Sequence, residues 1–169
     1  MKRKLYTGVT AIALSLAGAL TLSAPAHASA SSGYVSGTGS VLDDLNDEGP
    51  LHYGDRSGAV AVWQRILWND GYLGSNDSTV DCSFGPDTLA ATKKWQKAHG
   101  LTADGVPGKN TFTKAGKYLK DAGTNIYGRR IIRYDSPQST YRPLADRDSN
   151  GRWVVWIGSE QRRASYSSC

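Results

Sequence analysis

Two stretches of the chain repeat one another. Trp63-Gln64-Arg65 is answered by Trp95-Gln96-Lys97, and each copy runs into a glycine followed by an apolar segment, Gly71-Tyr72-Leu73 in the first and Gly100-Leu101 in the second. An aspartate turn then aligns without a gap, Asp81-Cys82-Ser83-Phe84-Gly85-Pro86-Asp87-Thr88 against Asp104-Gly105-Val106-Pro107-Gly108-Lys109-Asn110-Thr111. A unit of helix, glycine stop and tight turn written twice constrains the fold more than any single residue does.

Three helices follow from periodicity. The first begins after Ser57, a good N-cap, and stops at Gly71, with Val60, Trp63 and Leu67 on one face and Ile66 beside them. Pro86 suits the first turn of the second and Gly100 its end, with Leu89, Ala91, Thr92 and Trp95 facing inward. The third spans Lys109 to Leu119 on a stripe of Phe112, Ala115 and Leu119. The expected fold class is therefore mainly α, a three-helix bundle with a pseudo-twofold repeat over residues 49–122. Beyond residue 123 short β-branched and aromatic runs (Ile131, Ile132, Tyr134; Trp153 to Ile157), with the turn signal Asn150-Gly151, predict a small C-terminal β-hairpin extension over 123–169. An isolated hairpin is marginal in water, so this tail is expected to dock on the helices.

The first thirty residues belong to another category. Lys2, Arg3 and Lys4 precede a mostly apolar stretch from Gly8 to Leu22, too short to span a bilayer comfortably, and Ala26-His27-Ala28 offers small residues at a cleavage spacing. Residues 1–28 read as a bacterial secretory signal peptide, which predicts an extracellular protein with no membrane attachment once the signal is removed. Residues 29–48, rich in Ser and Gly at their start, read as a flexible lead-in.

Of 20 Lys and Arg against 15 Asp and Glu, three cations leave with the signal, so the net charge falls from +5 to +2. That is too weak to predict a nucleic-acid partner. Arginines gather late in the chain, from Arg129 to Arg163, a face able to attract an acidic wall polymer, although such a charge run is more often a solvated surface. Cys82 and Cys169 are the only cysteines. Outside the cytoplasm they are expected to form an intramolecular disulfide, the rival being pairing of Cys169 between molecules.

The ordered set Gly54-Asp55-Arg56-Ser57-Gly58, Val60, Trp63-Gln64, Leu67, Gly71-Tyr72, Phe84-Gly85-Pro86-Asp87-Thr88, Trp95-Gln96, His99-Gly100-Leu101, Asp104-Gly105, Gly108 and Thr111 resembles the peptidoglycan-binding domain found beside many bacterial wall hydrolases. The resemblance covers Leu51 to Leu119. It implies a three-helix fold with pseudo-twofold repeats and non-catalytic binding of cell-wall peptidoglycan; the protein is expected to be wall-associated and monomeric. Pro107, the insertion from Ser75 to Val80 and Cys82 depart from the family pattern, and all lie at the Asp turns.

Within that frame Trp63 and Trp95 are core residues by their helical register, while Trp68, off the apolar stripe, and Tyr72 beyond it are the candidate sugar-stacking aromatics. Asp81, Asp87 and Asp104 are the candidate polar ligand contacts, although the residue pattern itself favours Asp81 and Asp104 bonding their own turn amides.

Chemistry is harder to find. After the signal only His52 and His99 remain, and no HExxH or comparable ligand spacing occurs, so neither a metal nor another cofactor is expected. Glu48 and Glu160 are the only glutamates, both in peripheral segments, although an Asp pair for glycoside hydrolysis stays open. Asp146 to Gly151 copies the start of a calcium loop, but Ile157 stands where the bidentate acid is required, so a plain turn is expected.

Overall fold

A computed structural model describes residues 32–74, 77–139 and 142–169. The expected signal peptide, residues 1–28, lies outside the described residues.

Helix α1 spans Gly58–Asn69, α2 Pro86–Ala98 and α3 Lys109–Gly116; strands β1 Leu119–Thr124, β2 Arg130–Tyr134, β3 Arg142–Arg147, β4 Trp153–Ile157 and β5 Glu160–Arg163 follow. The Ser57 side chain accepts the Val60 amide and starts α1 as the sequence predicts. Pro86 occupies the first turn of α2.

All twelve residues of α1 are buried. The cause is legible in Gly58-Ala59-Val60-Ala61-Val62-Trp63, continued by Ile66-Leu67-Trp68, which is apolar around the whole circumference and so demands a covering on every side. α2 covers one side, while β3 and β4 cover another. Even Arg65 is buried in this interface. Its guanidinium donates to the carbonyls of Trp156 and Pro143, joining the helix to the ends of two strands.

The expected mainly-α class is overturned. The C-terminal part is not a small hairpin but a five-stranded antiparallel meander in the order β1-β2-β3-β4-β5. The two predicted strands are β2 and β4. The other three carry poor strand signals for physical reasons. β1 (Leu119-Lys120-Asp121-Ala122-Gly123-Thr124) and β5 (Glu160-Gln161-Arg162-Arg163) are the two edges, nearly all exposed, where charged residues guard against further pairing. β3 contains Pro143, which sits at the register shift between β2 and β3, the kind of irregularity where a strand proline is tolerated. The predicted turn at Asn150-Gly151 does connect β3 to β4, with Gly151 at φ 79°.

α3 ends at Gly116 rather than at Leu119, which opens β1, so the sheet begins inside the segment assigned to the helical unit. The segment 32–48, read as a flexible lead-in, places Val35, Val41 and Leu45 in the common core. Val35 donates its amide to the Ala164 carbonyl and accepts the Trp153 amide, tying the segment to β4 and to the chain just past β5. Two buried acids anchor it further. Asp44 accepts both Arg147 Nη1, at 2.7 Å, and Trp153 Nε1, at 2.9 Å. Glu48 accepts the Tyr166 hydroxyl at 2.6 Å and the Ser36 amide at 3.2 Å.

Candidate functional site

The repeat is realised as two matching hydrogen-bond networks. Gln64 Nε2 donates to Asp81 Oδ1, the Ser83 carbonyl and Thr88 Oγ1, while its Oε1 accepts the Asp81 and Cys82 amides. Gln96 Nε2 donates to Asp104 Oδ1, the Val106 carbonyl and Thr111 Oγ1, and its Oε1 accepts the Gly105 amide. In each half one buried amide locks the Asp turn to the start of the next helix, which explains why Trp-Gln, Asp and Thr recur at fixed spacing. Asp81 and Asp104 also accept amides two residues on, from Ser83 and Val106 at 2.8 Å each. Their carboxylates therefore build the turns.

The two tryptophans preceding these glutamines meet in the core with ring centroids 5.1 Å apart, edge to face. Trp63 Nε1 donates to Thr92 Oγ1 and Trp95 Nε1 to Asp70 Oδ2, so neither polar edge is left bare.

Trp68 is only 8% exposed, with the Arg65 guanidinium 5.6 Å from its ring centre. It offers no open face for a sugar, because the all-round apolar character of α1 draws it into the interior. Its neighbour in the prediction fares differently. Tyr72 and Asp87 line one surface cleft of about 260 Å³ together with Leu73, Thr79, Ala91 and Lys94.

This cleft has a simple origin. Asp87, Ala90, Ala91 and Lys94 fall at i, i+3, i+4 and i+7 of α2 and share one face. The two alanines leave a shallow floor between an anionic and a cationic end, which stand about 10 Å apart along the helix axis. The opposing wall is the turn after α1, where Gly71 at φ 73° ends the helix and sends Tyr72 and Leu73 across. Burial, with the Asp70 carboxylate as a lesser cause, raises the Tyr72 pKa and keeps the phenol protonated, able to donate and to accept. Lys94 and Thr79 escaped the sequence reading. The Asp-Ala-Ala-Lys face at helical spacing was the available signal for Lys94.

Cys82 and Cys169 are disulfide-bonded, Cα to Cα 6.1 Å. The bond fastens the end of the chain to the first Asp turn. His99 stacks on Trp95 at 3.9 Å and places Nδ1 2.8 Å from the Trp95 carbonyl, a structural use of the ring. Among the described residues no three His, Cys, Asp or Glu side chains gather as metal ligands.

Residues 56–114 match a family described as "Putative peptidoglycan binding domain". The chain contains a peptidoglycan-binding domain. The match holds both Gln networks and the α2 wall of the cleft. The chain is 35% identical over 125 residues to a zinc D-Ala-D-Ala carboxypeptidase of Streptomyces albus G, a similarity covering 73% of this chain and 47% of that protein. It is 40% identical over 75 residues to an uncharacterized protein of Kitasatospora aureofaciens, covering 44% of this chain and 60% of the relative. It is also 40% identical over 47 residues to an N-acetylmuramoyl-L-alanine amidase of Bacillus licheniformis, covering 28% of this chain and 13% of that enzyme. The chain thus spans less than two thirds of these relatives. The match to the carboxypeptidase is longer than residues 56–114 and takes in sequence outside the domain. No solved structure matches the chain.

Proposed function

We propose that the chain from about Ser29 onward is an exported, non-catalytic protein that holds cell-wall peptidoglycan in the cleft between the Tyr72 turn and α2. The observation that carries this reading is the cleft itself, set within a peptidoglycan-binding domain. A carboxylate at one end, an ammonium at the other and a half-buried phenol between them suit a short peptide with charges of both signs. That is the chemistry of a wall stem peptide. The extracellular, wall-associated location rests on the leader sequence and on the domain.

A hydrolase reading is the second one, favoured by the similarity to a carboxypeptidase and an amidase. Against it, both histidines are accounted for elsewhere. His99 packs on Trp95, and His52 sits on an exposed turn beside Asp55. Residues 29–169 incubated with purified insoluble peptidoglycan decide between the two. The proposal predicts co-sedimentation with no release of reducing ends or free amino groups. Quantitative recovery in the supernatant at low salt refutes wall binding, and solubilisation of the wall refutes the non-catalytic reading.

A further inference from the structure

Away from the helical cleft, the outer face of the sheet carries a second arrangement. Trp153 and Val155 of β4 join the core cluster, and the pleat puts Val154 and Trp156 on the other face, where Val154 is covered at 6% exposure and Trp156 is open. Register places Gln161 opposite Trp156, Arg163 opposite Val154, and Asp146 opposite Val154 on the other side, so all five share the outer face. Trp156 is 45% exposed, an unusual state for a tryptophan in a well-formed sheet.

Polar planes surround it. Gln161 is held at both ends of its amide. Its Oε1 accepts Arg129 Nη1 at 2.8 Å, and its Nε2 reaches Asp146 Oδ2 at 3.4 Å. Asp146 in turn accepts Asn125 Nδ2 at 2.9 Å. Arg129, Gln161, Arg163, Asp148, Tyr34 and Val154 line a cavity of about 640 Å³, and its wall residue Gln161 is the register partner of Trp156.

Charges here are unevenly matched. Asp148 is engaged by Arg152, through its own Nε at 3.2 Å and its backbone amide at 3.0 Å, and Glu160 by Arg162. Among the described residues Arg129 has no carboxylate within ion-pair distance and meets the Asp146 charge only at longer range and through Gln161, and the one ion pair of Arg163 is a 3.9 Å contact with the already engaged Asp148. Two guanidinium forks on one face thus lack a bidentate oxyanion, the partner their planar geometry fits best. An exposed indole beside them supplies a flat apolar surface for the C–H face of a pyranose.

From this juxtaposition we propose that the outer sheet face is a second ligand site, for a saccharide bearing a free carboxylate. A sugar ring stacks on Trp156, its hydroxyls meet Gln161, and its carboxylate lies between Arg129 and Arg163. The site is separate from the Tyr72–Lys94 cleft and does not depend on the reading of that cleft. In wall material a free sugar carboxylate is exposed where the stem peptide has been removed, so the two sites take different parts of one polymer.

The test is calorimetric titration of residues 29–169 with two soluble glycans, and it involves no stem peptide. The first is a strand of alternating N-acetylglucosamine and N-acetylmuramic acid stripped of peptides. The second is chitohexaose, with the same β-1,4 backbone and no carboxylate. Binding of the acidic strand at least about tenfold tighter than chitohexaose is expected. Trp156→Ala should weaken both glycans, and Arg163→Gln should abolish the preference between them. Gln161→Glu, which adds a carboxylate beside Arg129 without removing bulk, should also remove the preference, provided its thermal midpoint matches the parent. Equal affinity for the two glycans, no binding of the acidic strand at millimolar concentration, or binding unchanged in folded Trp156→Ala overturns the proposal. Peptide-bearing muropeptides could still bind the cleft in each of these cases, so failure here leaves the cleft reading standing.

Discussion

Asp70, the residue that caps α1, accepts the hydroxyl of Tyr134 in β2 at 2.9 Å. The same carboxylate accepts Trp95 Nε1 from α2 at 2.7 Å and the hydroxyl of Ser136. One buried side chain therefore joins the end of the first helix, the second helix and the sheet, and it makes the helical domain and the tail a single packed body. Burial, then the Asp70 charge, pushes the Tyr134 pKa upward, so the phenol is a donor at any physiological pH.

Replacing this hub should therefore damage both halves at once. Asp70→Ala strands three buried donors, and the expected loss is about 3 kcal/mol or more. Urea unfolding followed by helical circular dichroism and by tryptophan fluorescence should show one shifted transition shared by both probes. A transition confined to one probe would mean that the sheet and helices unfold independently. Tyr134→Phe should cost less, about 1–2 kcal/mol, because the remaining donors still satisfy Asp70.

The disulfide gives a second prediction. Cys82 and Cys169 are 87 residues apart in sequence, so in the chain-entropy view their bond stabilises by about 4–5 kcal/mol. Cys169→Ser should lower the denaturation midpoint substantially in oxidising buffer. Dithiothreitol should bring the parent protein to the same value and leave the variant unchanged.

Stability should also depend on pH in a stated direction. Burial raises Glu48 to about 7, against the opposing hydrogen bonds from Tyr166 and Ser36, and raises Asp44 to about 6 despite Trp153 and Arg147. Between the ordinary carboxylate range and these values the folded chain binds more protons than the unfolded one, so stability falls as pH rises from about 4.5 to about 7 and levels off above. The thermal midpoint is expected to be higher at pH 5 than at pH 8. Glu48→Gln, which removes one of the two ionisations, should reduce that dependence and leave the part below about pH 6 that Asp44 carries.

Much of this was legible in the sequence and some was not, for reasons that particular residues show. The Trp-Gln and Asp repeats specified the helical half, since Gln64 and Gln96 each need their turn and their Thr at fixed distances. The N-cap Ser57 and the first-turn Pro86 are local signals, read correctly without tertiary context. The sheet was hidden because its edges are sequences such as Glu160-Gln161-Arg162-Arg163, which pair through backbone and carry charge outward. Trp68 lies off the single apolar stripe that periodicity gives α1, yet the helix is apolar all round and buries it. Glu48 and Asp44 lay in a Ser- and Gly-rich stretch whose packing depends on partners over a hundred residues away, Tyr166 and Arg147. Of the candidate site, Tyr72 and Asp87 were named, whereas Lys94 needed the helix face to be read as a cleft wall.

Charge reversal in that cleft should separate binding from folding. Asp87 and Lys94 are exposed, so Lys94→Glu should leave the unfolding midpoint within about 0.5 kcal/mol of the parent. Its affinity for insoluble peptidoglycan should fall about fivefold or more, as measured by depletion from the supernatant. The Asp104→Asn change should do the opposite, lowering stability with little effect on affinity once the protein is folded.

The most direct measurement is amide chemical-shift mapping of isotope-labelled residues 29–169 titrated with a soluble disaccharide-peptide fragment of peptidoglycan. Saturable shifts should concentrate at Tyr72, Leu73, Thr79, Asp87, Ala91 and Lys94. Saturation with those amides unmoved, or with shifts confined to other surfaces, would contradict the assignment of the cleft as the wall-binding site.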